Sequence, residues 1–238
     1  YEEFSDPQSA LDYVSNSIYP IVIKADGLAA GKGVTIADNI DDAKTAIVDC
    51  LINNKFGNSG KKIVIEEFLE GKEASYFVIT DGKTIFSLGF AQDYKPIFDD
   101  NKGPNTGGMG SYAPVGFISD NLTDEIFSLT KRLVDSMNAE GRNYKGILYM
   151  GMILTSEGPK ILECNVRFGD PECQVLLPLL KTDFLHIAEL VCAGRLNTLS
   201  EINFNDYSSF CLVLAAKGYP ENPSKGSEII IENSECIL

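Results

Sequence analysis

The stretch Pro159–Glu172, PKILECNVRFGDPE, decides how this chain is read. Ile161 and Leu162 open it as a strand, and charge then stands where core would be expected to continue. Successive side chains on a strand point to opposite faces, so Glu163, Asn165 and Arg167 share one face and Leu162, Cys164 and Val166 the other. A carboxylate, an amide and a guanidinium in a row are poorly suited to a core. Glu163 and Asn165 instead present two oxygens about 7 Å apart along the strand. A hard divalent cation such as Mg2+ takes one or two carboxylates together with substrate phosphates. Arg167 adds a planar fork suited to phosphate or carboxylate. The other reading is the solvated face of an edge strand, and the stretch alone leaves both open.

Further upstream, Pro20–Lys24 (PIVIK) predicts a short apolar strand ending in a charge, and Val34–Ala37 a second one. Between them lies ADGLAAGKG, a loop of small residues able to fold closely over a ligand. It is not the GxxxxGK[ST] phosphate loop: the spacing is one residue shorter, Gly33 replaces the hydroxyl, and a strand follows in place of a helix. Lys24 and Lys32 frame this loop, either clasping a polyphosphate from two sides or decorating a surface hairpin.

The rest predicts an α+β chain with antiparallel strands. Asp6-Pro7 reads as the cap and first turn of a helix. A helix is expected over 38–54, with Ala43, Ile47 and Leu51 as its stripe. A strand over 62–71 runs into an acidic, glycine-ended segment, and Asp81-Gly82 joins strands over 75–80 and 83–88 as a hairpin. Gln92–Tyr112 is long, poor in aliphatic residues and rich in glycine, which predicts an irregular binding loop or lid, or a disordered surface loop. Within it the amides around Asn105, Thr106, Gly107 and Gly108 are expected to form an anion-binding concavity. The clearest helix spans 123–140, stopped by Gly141. A buried strand over 146–154 precedes the opening stretch. An apolar run over 176–180 and a helix from Asp183 to near Gly194 follow it, and a new strand starts at Phe210.

Composition bounds the partners. The net charge of −14 over 238 residues disfavours nucleic acid and anionic membrane surfaces, and leaves room for a small phosphate ligand. Six cysteines without a CxxC pair, and the single His186, support neither a zinc site nor a disulfide framework; reduced thiols inside a cell are expected. His186 reads as an ordinary structural residue. No apolar run reaches the length of a membrane span and no signal peptide is present. The chain starts at Tyr1, which suggests a fragment.

Four segments in order, PIVIKADGLAAGKGV (20–34), VIEEFLEGKEASYF (64–77), GPNTGGMGSYAPV (103–115) and LECNVRFGDPE (162–172), resemble the ATP-grasp superfamily and, within it, the phosphoribosylamine–glycine ligases. The resemblance implies an α+β ATP-grasp fold whose two lobes clasp ATP. Residues 1–72 would form the small lobe, 73–200 the large lobe and 201–238 the start of a carboxy-terminal domain, with the family's amino-terminal domain absent. It implies a cytoplasmic, monomeric enzyme of purine biosynthesis that needs ATP and Mg2+ or Mn2+ and binds neither nucleic acid nor membrane. ATP, glycine and 5-phosphoribosylamine would give glycinamide ribonucleotide, ADP and phosphate through glycyl phosphate. Such phosphoryl transfer rests on positioning and charge neutralisation, so the lack of a Ser/His/Asp or Cys/His set fits it.

The resemblance assigns Lys24 and Lys32 to the phosphates, with Lys32 and Arg167 as the catalytic cations. It assigns Glu66 and the backbone of Glu67, Phe68 and Leu69 to the adenine edge, and Glu73 to the ribose. Glu163 and Asn165 would hold the metal, and Asp93, Asn105, Thr106, Gly107, Gly108 and Asp170 would serve the glycine and ribonucleotide side. Two departures stand out: Tyr94 replaces the family's usual histidine, and Tyr149–Met152 lacks the second metal carboxylate of many ATP-grasp enzymes. The alternatives are a nucleotide-binding fragment without turnover and an ATP-grasp ligase of neighbouring specificity.

Overall fold

The computed structural model describes residues 1–29 and 33–230, and the chain divides into two compact units, Tyr1–Gly71 and Lys72–Leu238. In the first unit, β1 (Glu2–Phe4), β2 (Ile21–Ala25), β3 (Val34–Ala37) and β4 (Ile63–Glu67) form an antiparallel sheet in the order β1-β4-β2-β3. Ile21 and Ile23 alternate with Val22 and Lys24, and with Ile63 and Ile65 they are buried against Ala10, Val14, Ala43 and Ile47. Those last four lie on α1 (Pro7–Val14) and α2 (Ile40–Ile47).

The helices start where side-chain caps dictate. Asp6 accepts from the Ser9 amide ahead of Pro7, and Asn39 accepts from the amides of Asp41 and Asp42. The helix predicted over 38–54 therefore begins at Ile40, and it widens into a π-turn over Val48–Ile52. β1 has no counterpart among the expected strands, because three residues are too few to display a period; it is recruited by pairing with Ile63–Ile65.

In the second unit, β5 (Lys72–Thr80), β6 (Ile85–Asp93), β9 (Gly110–Ala113), β10 (Gly146–Thr155), β11 (Gly158–Asn165) and β12 (Ser209–Leu212) make one antiparallel sheet, ordered β11-β10-β5-β6-β9-β12. Its inner strands carry core on both faces. Tyr76, Val78, Met150 and Met152 pack with Ile126 and Val134 of α3 (Asp120–Ala139). Phe77, Ile79 and Tyr149 point the other way, into a cluster with α4 (Cys173–Leu176) and α5 (Phe184–Ala193). The Ser119 cap starts α3 three residues ahead of the expected Thr123, and Gly141 ends it at φ 74°.

The irregular loop expected over Gln92–Tyr112 is largely strand. β6 runs on to Asp93, β7 (Pro96–Phe98) pairs with β8 (Lys102–Asn105), and β9 returns to the sheet. The β7–β8 turn holds Asp100 and Asn101 at φ 58° and 55°, the left-handed region that Asp and Asn tolerate better than other residues with a Cβ. The strands were hidden because they are short and contain Pro96, Gly103 and Pro104 in place of an apolar alternation. The apolar run over 176–180 is the end of α4 followed by a 3-10 turn at Leu177–Leu179.

Asp81 fastens this unit. Its buried carboxylate accepts the amides of Lys83 (3.0 Å), Thr84 (2.8 Å) and Leu196 (3.0 Å), tying the β5–β6 turn to the segment after α5. Burial alone would raise its pKa, and the three amides instead hold it below the ordinary carboxylate value. Asp81→Ala is expected to cost about 2–4 kcal/mol in urea unfolding at pH 7. A lowered native pKa contributes stability that is present above the unfolded value and lost as pH falls through the native one, so the gap to the unmodified protein narrows below about pH 4.

Candidate functional site

In the first unit, Lys24 on β2 faces Val64 and Glu66 on β4 faces Val22, which sets the two charges diagonally on one face of the sheet. They meet as an ion pair, Lys24 Nζ to Glu66 Oε2 at 2.5 Å, with side chains 23% and 32% exposed. The roles expected for them, phosphate and adenine, are separate, whereas the structure joins the two groups. A pair this accessible contributes about 0–1 kcal/mol, so exchanging either partner for a ligand costs little. Glu67 ends β4, and Phe68 and Leu69 lie beyond the ladder. Lys32 lies outside the described residues. A Cβ at Gly33 would stand 2.7 Å from the Ala29 Cβ, so the hydroxyl of a phosphate loop has no room there. Ser59 anchors the other side of the loop, accepting the Gly27 amide on its carbonyl (3.1 Å) and donating its hydroxyl to the Leu28 carbonyl (2.7 Å).

In the second unit, Glu163 and Asn165 do share a face of β11. Asn165 Nδ2 donates to Glu163 Oε1 at 3.0 Å, which fixes the amide so that its own oxygen and Glu163 Oε2 have no hydrogen bond among the described residues. Gly151 on β10 stands directly opposite Glu163, and a Cβ there would lie 2.8 Å from Glu163 Cγ. The missing side chain leaves the space that the Glu163 Cγ methylene, the stem of the carboxylate, occupies. One carboxylate and one amide oxygen on an exposed strand end suit a cation that takes its other ligands from phosphate and water. No group of three or more His, Cys, Asp or Glu side chains able to hold a metal occurs among the described residues.

The expected alternation is only partly kept: a register shift against β10 leaves Leu162 unpaired between Ile161 and Glu163, Cys164 is exposed where it is expected to back the strand, and the strand stops at Asn165. β11 is the edge of the sheet and ends there, so Val166 is 71% exposed rather than turned to the core. Arg167 is past the strand and donates from Nη1 to the Phe168 carbonyl at 2.8 Å, leaving its other donors outward.

The glycine-rich turn holds a second correction. The Thr106 amide is bonded to the Lys95 carbonyl (2.7 Å), that of Gly107 to the Tyr219 hydroxyl (3.1 Å), and that of Gly108 to Thr106 Oγ1 (3.0 Å). The concavity expected at Asn105–Gly108 is thus filled by the protein's own acceptors. Gly108 is at φ 127° and buried, where a Cβ would collide with Pro171 Cδ, so this turn packs against the Asp170-Pro171 segment. Asp170 is exposed and accepts from Gln174 Nε2 at 2.7 Å. Glu73 is exposed on β5, and its carbonyl accepts from Gln92 Nε2 at 3.2 Å. Tyr94 lies beside Tyr112, ring centroids 6.3 Å apart, and is 48% exposed.

Asp93 has company that its motif alone does not announce. Its side chain is 7% exposed and pairs with Lys95 Nζ at 2.6 Å. Burial disfavours the Lys95 ammonium, but Asp93, with Glu73 and Glu172 beyond it, holds its pKa above the ordinary lysine value. Glu172 is 2% exposed, and its Oε1 accepts from Ser75 Oγ (3.1 Å), which lies 2.9 Å from the Tyr149 hydroxyl. Burial first, and Glu172 second, push the Tyr149 phenol far above its usual pKa. The available signals were the Asp93-Tyr94-Lys95 spacing and the Glu172 that closes RFGDPE, each inside a motif already singled out.

Residues 1–173 match the family model described as phosphoribosylglycinamide synthetase, ATP-grasp (A) domain. The phosphoribosylamine–glycine ligase of Caldanaerobacter subterraneus subsp. tengcongensis is 46% identical over 230 residues, covering 96% of this chain and 55% of that protein. The trifunctional purine biosynthetic protein adenosine-3 of Gallus gallus is 44% identical, covering 96% of this chain and 23% of that protein. The crystal structure of phosphoribosylamine–glycine ligase from Thermotoga maritima superposes with a TM-score of 0.89 at 35% identity, covering 98% of this chain and 59% of that one. The fold is thus that of ATP-grasp proteins, and the chain spans little more than half of the bacterial relatives it matches.

Gly151→Ala tests the geometry around Glu163. Its Cβ is expected to displace the carboxylate and weaken Mg–nucleotide binding about tenfold by titration calorimetry, as positional changes next to a ligand do. The far-UV circular dichroism spectrum is expected to stay unchanged.

Proposed function

The chain belongs to the phosphoribosylglycinamide synthetase family of ATP-grasp proteins, and on that premise we propose that it is the nucleotide-binding core of an ATP-dependent ligase that joins glycine to 5-phosphoribosylamine. The observation that supports this best is Glu163 and Asn165 side by side on β11, inside the same LECNVRFGDPE segment on which the likeness rests. In this reading the two side chains hold Mg2+ or Mn2+, and the bound ion supplies charge neutralisation on the phosphate oxygens of ATP.

The chain's own residues supply the rest. Lys24 leaves Glu66 for a phosphate oxygen, which frees Glu66 for the exocyclic amine of adenine, and Lys32 meets the phosphates from the loop. The backbone at the end of β4, from Glu67 into Phe68 and Leu69 beyond the ladder, bonds the adenine edge, and the exposed Glu73 takes the ribose hydroxyls. The glycine carboxylate attacks the γ-phosphorus and the bond to ADP breaks, giving glycyl phosphate. The outward donors of Arg167 stabilise the charge that gathers on the transferring oxygens. The amine of phosphoribosylamine then attacks the glycyl carbonyl carbon, phosphate leaves, and the nitrogen loses a proton to form the amide. Asp93 and Asp170 position these smaller substrates, and the Asn105–Gly108 turn, whose amides are already bonded within the chain, shapes the space around them. No described helix is long and apolar enough to cross a membrane, and the net charge of −14 opposes nucleic acid and anionic lipid, in keeping with a cytoplasmic place in purine biosynthesis.

With the intact protein, ADP release is expected only when glycine and 5-phosphoribosylamine are both present; release triggered by bicarbonate, formate or another acid would overturn the substrate assignment. Glu163→Gln is expected to lower kcat at least about 100-fold while the protein stays folded by circular dichroism. Undiminished turnover in that variant would remove Glu163 from the metal site.

A further inference from the structure

Two elements that the proposed reaction needs on its glycine side converge on one residue that no motif assigned. The Asp93 carboxylate is 7% exposed, and Lys95 Nζ, at 2.6 Å, is its ion-pair partner among the described residues. The main-chain carbonyl of the same lysine accepts two hydrogen bonds from Thr106, one from its amide and one from its hydroxyl, both at 2.7 Å. Thr106 Oγ1 in turn accepts the Gly108 amide at 3.0 Å. The neighbouring Tyr94 carbonyl accepts the Met109 amide at 2.7 Å, so the turn is stitched to this short segment on both sides. Lys95 thus holds the carboxylate with its side chain and the glycine-rich turn with its backbone.

We infer that Lys95 is a positioning residue for the small carboxylic acid substrate: it sets Asp93 and the Thr106–Gly108 turn at a fixed distance from each other. The inference rests on the function proposed above, in which both elements serve glycine. The charge balance supports it. Asp93, Glu73 and Glu172 all act on this single ammonium, so it stays charged and keeps the shielded Asp93 carboxylate from facing two further carboxylates unaccompanied. A flexible cation that only covered the surface would not also hold a turn through its backbone.

The test uses the intact protein and steady-state ADP release with glycine and ATP varied separately. Lys95→Met is expected to raise the KM for glycine at least about tenfold, since second-layer partners of a binding group typically matter by 10–100-fold. The KM for ATP should stay within about twofold and kcat should fall by less. Lys95→Arg keeps the charge and is expected to recover most of the glycine KM. A merely structural lysine would instead raise both KM values together, or lower the melting temperature with neither changed, and either result overturns the inference. If Lys95→Met does not fold, Thr106→Val decides: it removes the hydroxyl bond to the Lys95 carbonyl and the acceptor of the Gly108 amide, loosening the turn while leaving the Asp93–Lys95 pair, and an unchanged glycine KM in it counts against the inference. Failure of the unmodified protein to release ADP with both substrates overturns the functional reading and this inference with it. Turnover in the unmodified protein with normal glycine KM in the variants overturns the inference alone.

Discussion

The second unit depends on β10 being paired on both sides, to β5 through Gly146–Leu154 and to β11 through Tyr149–Thr155. That double ladder consumes the backbone groups of a strand whose side chains are core on either face, Met150 and Met152 one way and Tyr149 the other. It leaves β11 as the edge, with one side of its backbone and the end of its outer face open. An edge strand is normally a liability and is commonly blunted by charge. Here Glu163 and Asn165 are that charge and polarity, and Gly151 opposite makes the space for them. The two readings offered by the sequence, a solvated edge and a metal face, are therefore compatible: the strand is an edge, and the same exposure leaves the two oxygens accessible.

Two ion pairs in this acidic chain are held differently. Lys24–Glu66 is partly exposed on both sides, so the pair contributes little and is easily exchanged. In Asp93–Lys95 only the carboxylate is shielded, the lysine side chain being 39% exposed, and the bracing comes from the backbone bonds between Lys95 and Thr106. The Tyr149–Ser75–Glu172 chain is buried further still, and its carboxylate lies where a side chain at residue 169 would otherwise stand: a Cβ on Gly169 would collide with Glu172 Oε2. Glycine at 151 and at 169 does one job in two places, admitting a glutamate side chain beside the backbone.

Much of this was legible in the sequence because it is local. The caps at Asp6 and Asp183, the Asp81-Gly82 hairpin, the long amphipathic α3 and the shared face of Glu163 and Asn165 are written within a few residues of where they act. What was not legible depends on partners far along the chain. β1 exists only because β4 accepts it, and the β7–β8 hairpin carries prolines and glycines where a strand usually shows apolar residues. The anion concavity at Asn105–Gly108 failed because the Lys95 carbonyl and the Thr106 hydroxyl take the Thr106 and Gly108 amides and Tyr219, 112 positions away, takes that of Gly107. Arg167 failed to share the metal face because the strand ends two residues before it. Lys95 and Glu172 were in plain view inside motifs, but only folding sets one beside a buried aspartate and the other under a serine.

The central claim is that Glu163 and Asn165 together ligate the divalent ion that accompanies ATP. Anomalous diffraction at the manganese edge, from crystals of the intact protein grown with Mn2+ and a non-hydrolysable ATP analogue, tests it most directly. A manganese peak within about 2.5 Å of both a Glu163 carboxylate oxygen and Asn165 Oδ1, and of phosphate oxygens, is the predicted result. A peak bound to phosphate and other protein groups, with Glu163 and Asn165 left to solvent, would contradict it.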